Sequence, residues 1–307
     1  MTRITDYNQH NTMVSYLMRS AESQAKTEEM IASGKKINSF ADIPGDTGVL
    51  LSAKRVEVNL QQYSRTSNEI LNRLGLQDIQ MREMEAAADD VRQLVTQAIA
   101  TGSALNLHDG LDGIFQRVVS LLNSSVDGQY IYAGTRTDTP PVNIKTLDDL
   151  AALPLVSDAF DNNALKRSVN IDDSENVEYG FLASDLATDL FQKIKDIKAY
   201  HDGAGGPFQG SLTETQSSYL SSTVQGLIDA NNTMTRFTAT NGRITRQVEH
   251  AVSRHEKSET FVKTFIGNIE DADLAEAVSK LSMNQLQSEA TAKVIGQLSR
   301  ISLLDYI

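Results

Sequence analysis

The chain has 307 residues with no Cys, no Trp and 5 Pro, a hydrophobic share of 40% and a formal net charge of −12. This excludes disulfides, thiolate chemistry and Cys-ligated metals, and it leaves no basic patch to neutralise nucleic-acid phosphates. No run approaches the roughly 18 apolar residues of a membrane span, and the opening Met1-Thr2-Arg3-Ile4-Thr5-Asp6 lacks the build of a secretory leader, so neither membrane insertion nor Sec-type export is expected.

In chain order, Val14, Leu17, Ala21 and Ile31 mark an amphipathic N-terminal helix that closes near Gly34. A seam then runs through Leu60, Tyr63, Ser67, Ile70, Leu74, Gln77, Met81, Met84, Ala88, Val91, Val95 and Ala98 in alternating steps of three and four. This heptad register keeps one stripe on a partner helix and implies left-handed supercoiling, with Ser67 and Gln77 as polar interruptions. After the break Gly102 to Asn106, Leu111, Ile114, Phe115, Val118, Val119 and Leu122 form a shorter amphipathic helix. Tyr130-Ile131-Tyr132 reads as a brief strand, stopped by Gly134 and followed by Asp138-Thr139-Pro140-Pro141.

Residues 140–205 differ in kind. Four of the five Pro fall between Pro140 and Pro207, and Ser168 to Ile171 with Val177 to Phe181 make a hairpin-like pair around Asp172-Asp173-Ser174. A helix from about Ala183 to Tyr200 carries Leu186, Leu190, Ile194 and Ile197 on one side, and the Gly203 to Pro207 run behind it reads as a hinge. A second seam, from Leu220 through Leu227, Met234, Asn241, Val248, His255 and Val262 to Ile269, repeats the 4/3 alternation with a polar middle. At the far end Leu274, Val278 and Leu281 start a stripe that continues, after a register slip, through Leu286, Ala290, Val294, Leu298, Ile301 and Leu304.

The expected fold class is mainly α: a long antiparallel helical coiled-coil rod with a small α+β insert domain. Residues 1–44 and 271–307 are read as paired terminal helices that stay unordered in a lone molecule, since a helix with one unburied apolar side is marginal in water. Residues 45–139 and 206–270 are read as the rod, and 140–205 as an outward-facing insert.

Chemistry is scarce. His250 and His255 are five apart, which points them in different directions on a helix, unlike a metal-binding pair. The glycines from Gly203 to Gly210 lack the Lys-Ser/Thr ending of a phosphate loop. Asp172, Asp173 and Glu175, with Asp148-Asp149, do not follow calcium-loop spacing. Asn123-Ser124-Ser125 matches a glycosylation sequon but sits at a helix end, where it is taken as chance. No hydrolase or metalloprotease signature is present, so no catalytic, cofactor or metal residue is assigned and no enzyme is expected. Periodicity alone leaves an ordinary bundle core and an assembly surface equally open.

Two tracts separate these readings. Ser33-Gly34-Lys35-Lys36-Ile37-Asn38-Ser39-Phe40-Ala41-Asp42 resembles a segment of the flagellin-like family, although that family usually continues with two acids and Ala-Ala-Gly where this chain has Asp42-Ile43-Pro44-Gly45-Asp46. Gly128-Gln129-Tyr130-Ile131-Tyr132-Ala133-Gly134-Thr135-Arg136-Thr137-Asp138-Thr139-Pro140-Pro141, and the ending Leu298 to Ile307, are similar to the hook-associated members of that family at the hook-filament junction. The resemblance spans roughly the first 140 and last 90 residues. It implies an extracellular axial component of the bacterial flagellum, exported by the flagellar type III apparatus without a cleaved signal. Its partners would be further copies in a ring, axial proteins on the hook and filament sides, and an export chaperone. The implied assembly interface is Val14, Leu17, Ala21, Ile31, Leu274, Val278, Leu281, Leu298, Ile301 and Leu304. A short filament flagellin and a secreted coiled-coil adhesin or effector are the alternatives.

Overall fold

The structure, a computed structural model, describes residues 2–37 and 45–304, with side chains at 8, 11–37 and 45–297. It is mainly α, as the two heptad seams predict. Helices α1 (Thr2–Ser33), α2 (Thr47–Thr101) and α3 (Leu107–Leu122) lead to a small hairpin, β1 (Ser125–Val126) and β2 (Gln129–Tyr130). The insert holds α4 (Leu147–Ala152), a second hairpin of β3 (Ser168–Asn170) and β4 (Asn176–Glu178), and α5 (Ala183–Asp202). The long α6 (Glu214–Glu270) and then α7 (Leu274–Leu304) complete the described chain. Two compact units result: a middle unit, Gln61–Glu256, and an end unit, Met1–Leu60 with Lys257–Ile307.

In the middle unit α2 and α6 are antiparallel. The carbonyl of Leu74 accepts from Asn241 Nδ2 at 3.0 Å, Glu85 Oε1 from Thr235 Oγ1 at 2.7 Å, and the carbonyl of Gly102 from Leu212 N at 2.8 Å. Every position of the first seam from Ser67 to Ala98 is buried, because heptad spacing holds one stripe against the partner. On α6, Leu220, Leu227, Met234, Asn241, Val248 and His255 are buried, and so are Ala230, Ile244 and Ala251 beside the stripe. The same core takes in α3 and α5, which widens the face that α6 must bury.

The end of α2 shows why a glycine stands there. Gly102 has φ +63, its N–H bonds the carbonyl of Ile99 and the N–H of Ser103 bonds that of Ala98, the paired bonds of a Schellman motif. The first hairpin turns on Asp127 (φ 52) and Gly128 (φ 74), a two-residue loop whose left-handed backbone matches strand twist. Strand pairing therefore falls at Gln129–Tyr130, earlier than the expected Tyr130 to Tyr132. Tyr132 is instead fully buried, its carbonyl accepting from Ala183 N at 3.0 Å, and burial pushes its phenol pKa far up.

Inside the insert, Thr146 and Asp149 close a reciprocal capping box on α4, satisfying N–H groups that the helix cannot. The second hairpin pairs Val169 with Val177, and α5 buries Leu186, Leu190, Ile194 and Ile197 as its spacing predicts. Phe191 packs on Phe115 at 4.8 Å and on Phe160 at 5.5 Å between ring centroids, tying α5 to α3. The Gly203 to Gly210 run, expected as a hinge, is held down: Gln216 Nε2 donates to the carbonyls of Gly205 (3.0 Å) and Pro207 (3.3 Å), and Phe208 N donates to His201 Nδ1 at 3.1 Å.

The remaining polar residues singled out in the sequence are structural. Asp173 accepts from Tyr63 Oη at 2.6 Å, and Glu175 accepts from Gln247 and Arg254 at 2.9 and 2.6 Å, so this acidic turn clamps the hairpin to α2 and α6. His255 is buried, stacked on Tyr63, with Nε2 2.8 Å from the carbonyl of Ile171, whereas His250 is exposed. Asp148 meets Lys198 at 3.0 Å. Asn123 exchanges two hydrogen bonds with the backbone of Val142, both at 2.9 Å.

Candidate assembly surface

In the end unit α1 and α7 lie antiparallel, Ser20 facing Asn284 and Ser288 while Lys35 bridges Asp271. Gly34 (φ +70) ends α1 in the left-handed conformation, with its N–H on the carbonyl of Met30 at 2.9 Å. Its own carbonyl accepts from Ala272 N, and Lys36 N donates to the carbonyl of Glu270. Asp273 caps α7, its Oδ1 accepting from the N–H groups of Ala275 and Glu276. The Glu270 carboxylate, nearly buried, receives the ammonium groups of Lys35 and Lys54. Burial pushes its pKa up, but the two lysines outweigh burial and hold it below the usual carboxylate value.

The seam between α1 and α7 is polar. Ser20 Oγ lies 2.8 Å from Ser288 Oγ and Asn284 Nδ2 donates to Ser23 Oγ at 3.0 Å, with Ser20, Thr27, Ala277 and Asn284 all buried. Ser20 and Thr27, like Ala277 and Asn284, are one heptad apart, a seam of small polar side chains in place of large apolar ones. It is not filled throughout: Met13, Tyr16, Gln287, Ala290, Thr291 and Val294 line a cleft of about 340 Å³.

Several large apolar side chains face away from it, although Val14, Leu17, Ile31 and Leu281 are half-buried. Met283 and Leu286 are 65% and 67% exposed, Val294 is 40% exposed, and on α1 Met18 is 67% exposed. At about 100° per residue, Met283 and Leu286 share a side of α7 well round from Ala277 and Asn284, while Ala290 and Val294 reach the cleft beside α1. Leu274 and Val278, each 50% exposed, lie to one flank of the seam.

Of the residues expected at the interface, Val14, Leu17, Ile31 and Leu281 are half-buried, while Ala21, Leu274 and Val278 are exposed. Leu298, Ile301 and Leu304 are on the last turns of α7, and their side chains lie outside the described residues. Ser20, Ser23, Thr27, Asn284 and Ser288, which line the seam, were not among the expected residues. A search for apolar periodicity passes over them, although their heptad spacing is legible once small polar residues are counted as seam formers.

Among the described residues no His, Asp and Glu group has metal-holding geometry, and no helix is long and apolar enough to cross a membrane. What the geometry defines is a mainly helical protein of two units: a packed middle unit, and paired end helices that carry exposed apolar groups. Residues 4–137 match the bacterial flagellin N-terminal helical region and residues 224–307 the bacterial flagellin C-terminal helical region, together more than half of the chain, and the chain belongs to the flagellin family. It is accordingly a structural component of the bacterial flagellum, of a family that builds the extracellular flagellum by oligomerising with other flagellar proteins.

It is 24% identical over 306 residues to the flagellin of Bacillus subtilis (strain 168), covering 94% of this chain and 93% of that one. Its fold is similar to that of a Vibrio parahaemolyticus protein described as flagellar hook-associated, with 15% identity and a TM-score of 0.60 over 75% of this chain and 100% of that one. The FlgL of Xanthomonas campestris is also similar, with 15% identity and a TM-score of 0.51 over 70% of this chain and 100% of that one.

Proposed function

We propose that the chain is a non-catalytic axial subunit seated between hook and filament, assembling through its terminal helices. The observation that carries assembly is the arrangement of the end unit, where serines and asparagine face inward and Met18, Met283 and Leu286 face outward. A monomer gains nothing from those exposed side chains, whereas each, fully buried between subunits, returns about 1.5–3 kcal/mol. Val14, Leu17, Ala21, Ile31, Leu274, Val278, Leu281, Leu298, Ile301 and Leu304 are the further contributors in this reading.

The junction rather than the filament is supported by the likeness of the Gly128 to Pro141 tract to hook-associated members of the family. The tract is bound into the fold along its length, with Tyr132 buried, Ala133 bridging Leu182, and Tyr130 N donating to the carbonyl of Thr137 at 2.9 Å. Similarity to the B. subtilis flagellin favours the second reading, a short filament subunit. Immunogold labelling of an epitope placed in the insert distinguishes them: the junction reading requires one band beside the hook, and label along the whole filament overturns it. Deletion should abolish motility; a motile deletion strain that has lost surface attachment would instead make the chain an adhesin. Export through the flagellar type III apparatus with a dedicated chaperone belongs to this reading, and so does a ring of copies.

A further inference from the structure

The middle unit contains a cleft of about 360 Å³ between α2 and the two hairpins. None of its charged residues forms an ion pair among the described residues. Arg167 is half-buried, yet its guanidinium meets neutral acceptors, Nε on the carbonyl of Gly134 at 3.3 Å and Nη2 on Gln129 Oε1 at 3.1 Å. Arg73, also half-buried, forms no ion pair among the described residues, and neither do the exposed Glu69 and Asp127 at the rim. A partly buried guanidinium without an anion forgoes the charge-assisted, bidentate bonding that best suits it.

The apolar part of the lining is supplied by Leu76, Val126, Ile131 and the Tyr179 ring. A simple anion would suit the two arginines but be repelled by Glu69 and Asp127, and a simple cation would meet the converse. A molecule with an ammonium and a carboxylate group on one carbon and an apolar branch satisfies all three parts of the lining. The volume is within the range of small-ligand sites, which pair an apolar wall with a few convergent polar groups.

We infer that this cleft is a binding site for a free zwitterionic amino acid with an apolar side chain, its carboxylate on Arg73 and Arg167, its ammonium toward Glu69 and Asp127, and its side chain against Leu76 and Ile131. The site involves none of the terminal-helix residues, so it stands apart from the assembly reading.

Calorimetric titration of the full chain with L-leucine tests it, alongside 4-methylpentanoate, which lacks the ammonium group, and 3-methylbutylamine, which lacks the carboxylate. Saturable binding of leucine is expected, with either comparator at least about tenfold weaker and Arg73→Gln weakening leucine by about tenfold or more. Arg167→Gln should do the same; because Arg167 also braces Gly134 and Gln129, Arg73→Gln decides if that variant does not fold. Absence of saturable leucine binding, comparators that bind as well as leucine, or an Arg73→Gln chain with unchanged affinity would each overturn the inference.

Discussion

The middle and end units are built from the same long helices and differ in what they bury. In the middle, Leu74, Met84, Phe115, Phe191 and Leu227 are wholly enclosed in one continuous core. In the end unit the buried hydrophobics among the described residues are Leu50, Ile266 and Ala277, and Ser20, Thr27, Asn284 and Glu270 share the interior with them. Fixing a residue's backbone costs about 1–2 kcal/mol, while a buried large apolar side chain returns about 1.5–3 kcal/mol. The middle can meet that cost from its own sequence; in the proposed reading the ends meet it with surface supplied by other molecules. Durability without disulfides would then follow from polymerisation, since anything that binds only the folded form stabilises it.

The sharpest way to break this comparison is a charge on the outer side of α7. Leu286→Asp should abolish incorporation into flagella, leaving the protein in the medium. The melting temperature of the purified monomer should hardly change, because exposed substitutions cost within about 0.5 kcal/mol. Normal incorporation of the variant would refute the assembly surface. The opposite pattern belongs to Phe191→Ala, which empties a ring packed against Phe115 and Phe160 and should cost about 3–5 kcal/mol in denaturant unfolding. A loss under about 1 kcal/mol would mean that the middle core is far looser than its burial indicates.

The fold class was legible because heptad spacing, glycine breaks and Pro clustering each carry a local physical meaning. The first seam could be read position by position, and Asn241, the centre of the polar stretch in the second, is buried against the backbone of Leu74. Two features were less legible. The Asp127-Gly128 turn is a strong hairpin signal, but Tyr130 to Tyr132 draws attention to a later strand, and it is the tertiary bond from Ala183 that removes Tyr132 from pairing. The Gly-rich loop looks mobile from composition alone because its restraint comes from Gln216 and His201, outside the glycine run. The seam serines escaped for a related reason: their role exists only once α1 and α7 face each other.

A smaller effect, and of opposite sign, is expected at Asn241. It is fully buried and its Oδ1 has no partner among the described residues, so it carries part of a desolvation cost that its single bond to Leu74 does not recover. Asn241→Leu should stabilise the middle unit by about 1 kcal/mol in denaturant unfolding, since the Leu74 carbonyl keeps its place in the helix. The cost of such a change is register, as a polar seam residue opposes slippage; proteolysis that cuts the variant faster than the parent, despite a higher midpoint, would show it.

The smallest effect is a pH dependence confined to the middle unit. His201 stacks on His108 at 4.8 Å between ring centroids, and its Nδ1 accepts from Phe208 N. Burial lowers its pKa, with His108 and Lys198 adding to that and Asp202 opposing it, while Asp148 also lies near His108. A histidine depressed in the fold is more readily protonated when unfolded, so stability is complete above the unfolded value near about 6.5 and declines as pH falls through the folded value. Protonation also removes the acceptor that holds Phe208. Unfolding midpoints should therefore fall as pH drops below about 6.5, and His201→Asn should flatten that slope while lowering stability at neutral pH. An unchanged slope in the variant would locate the acid sensitivity elsewhere, with the Glu270 clamp of the end unit next in line. That clamp is distinguishable because a carboxylate held low by Lys54 and Lys35 keeps its contribution until pH drops below about 4.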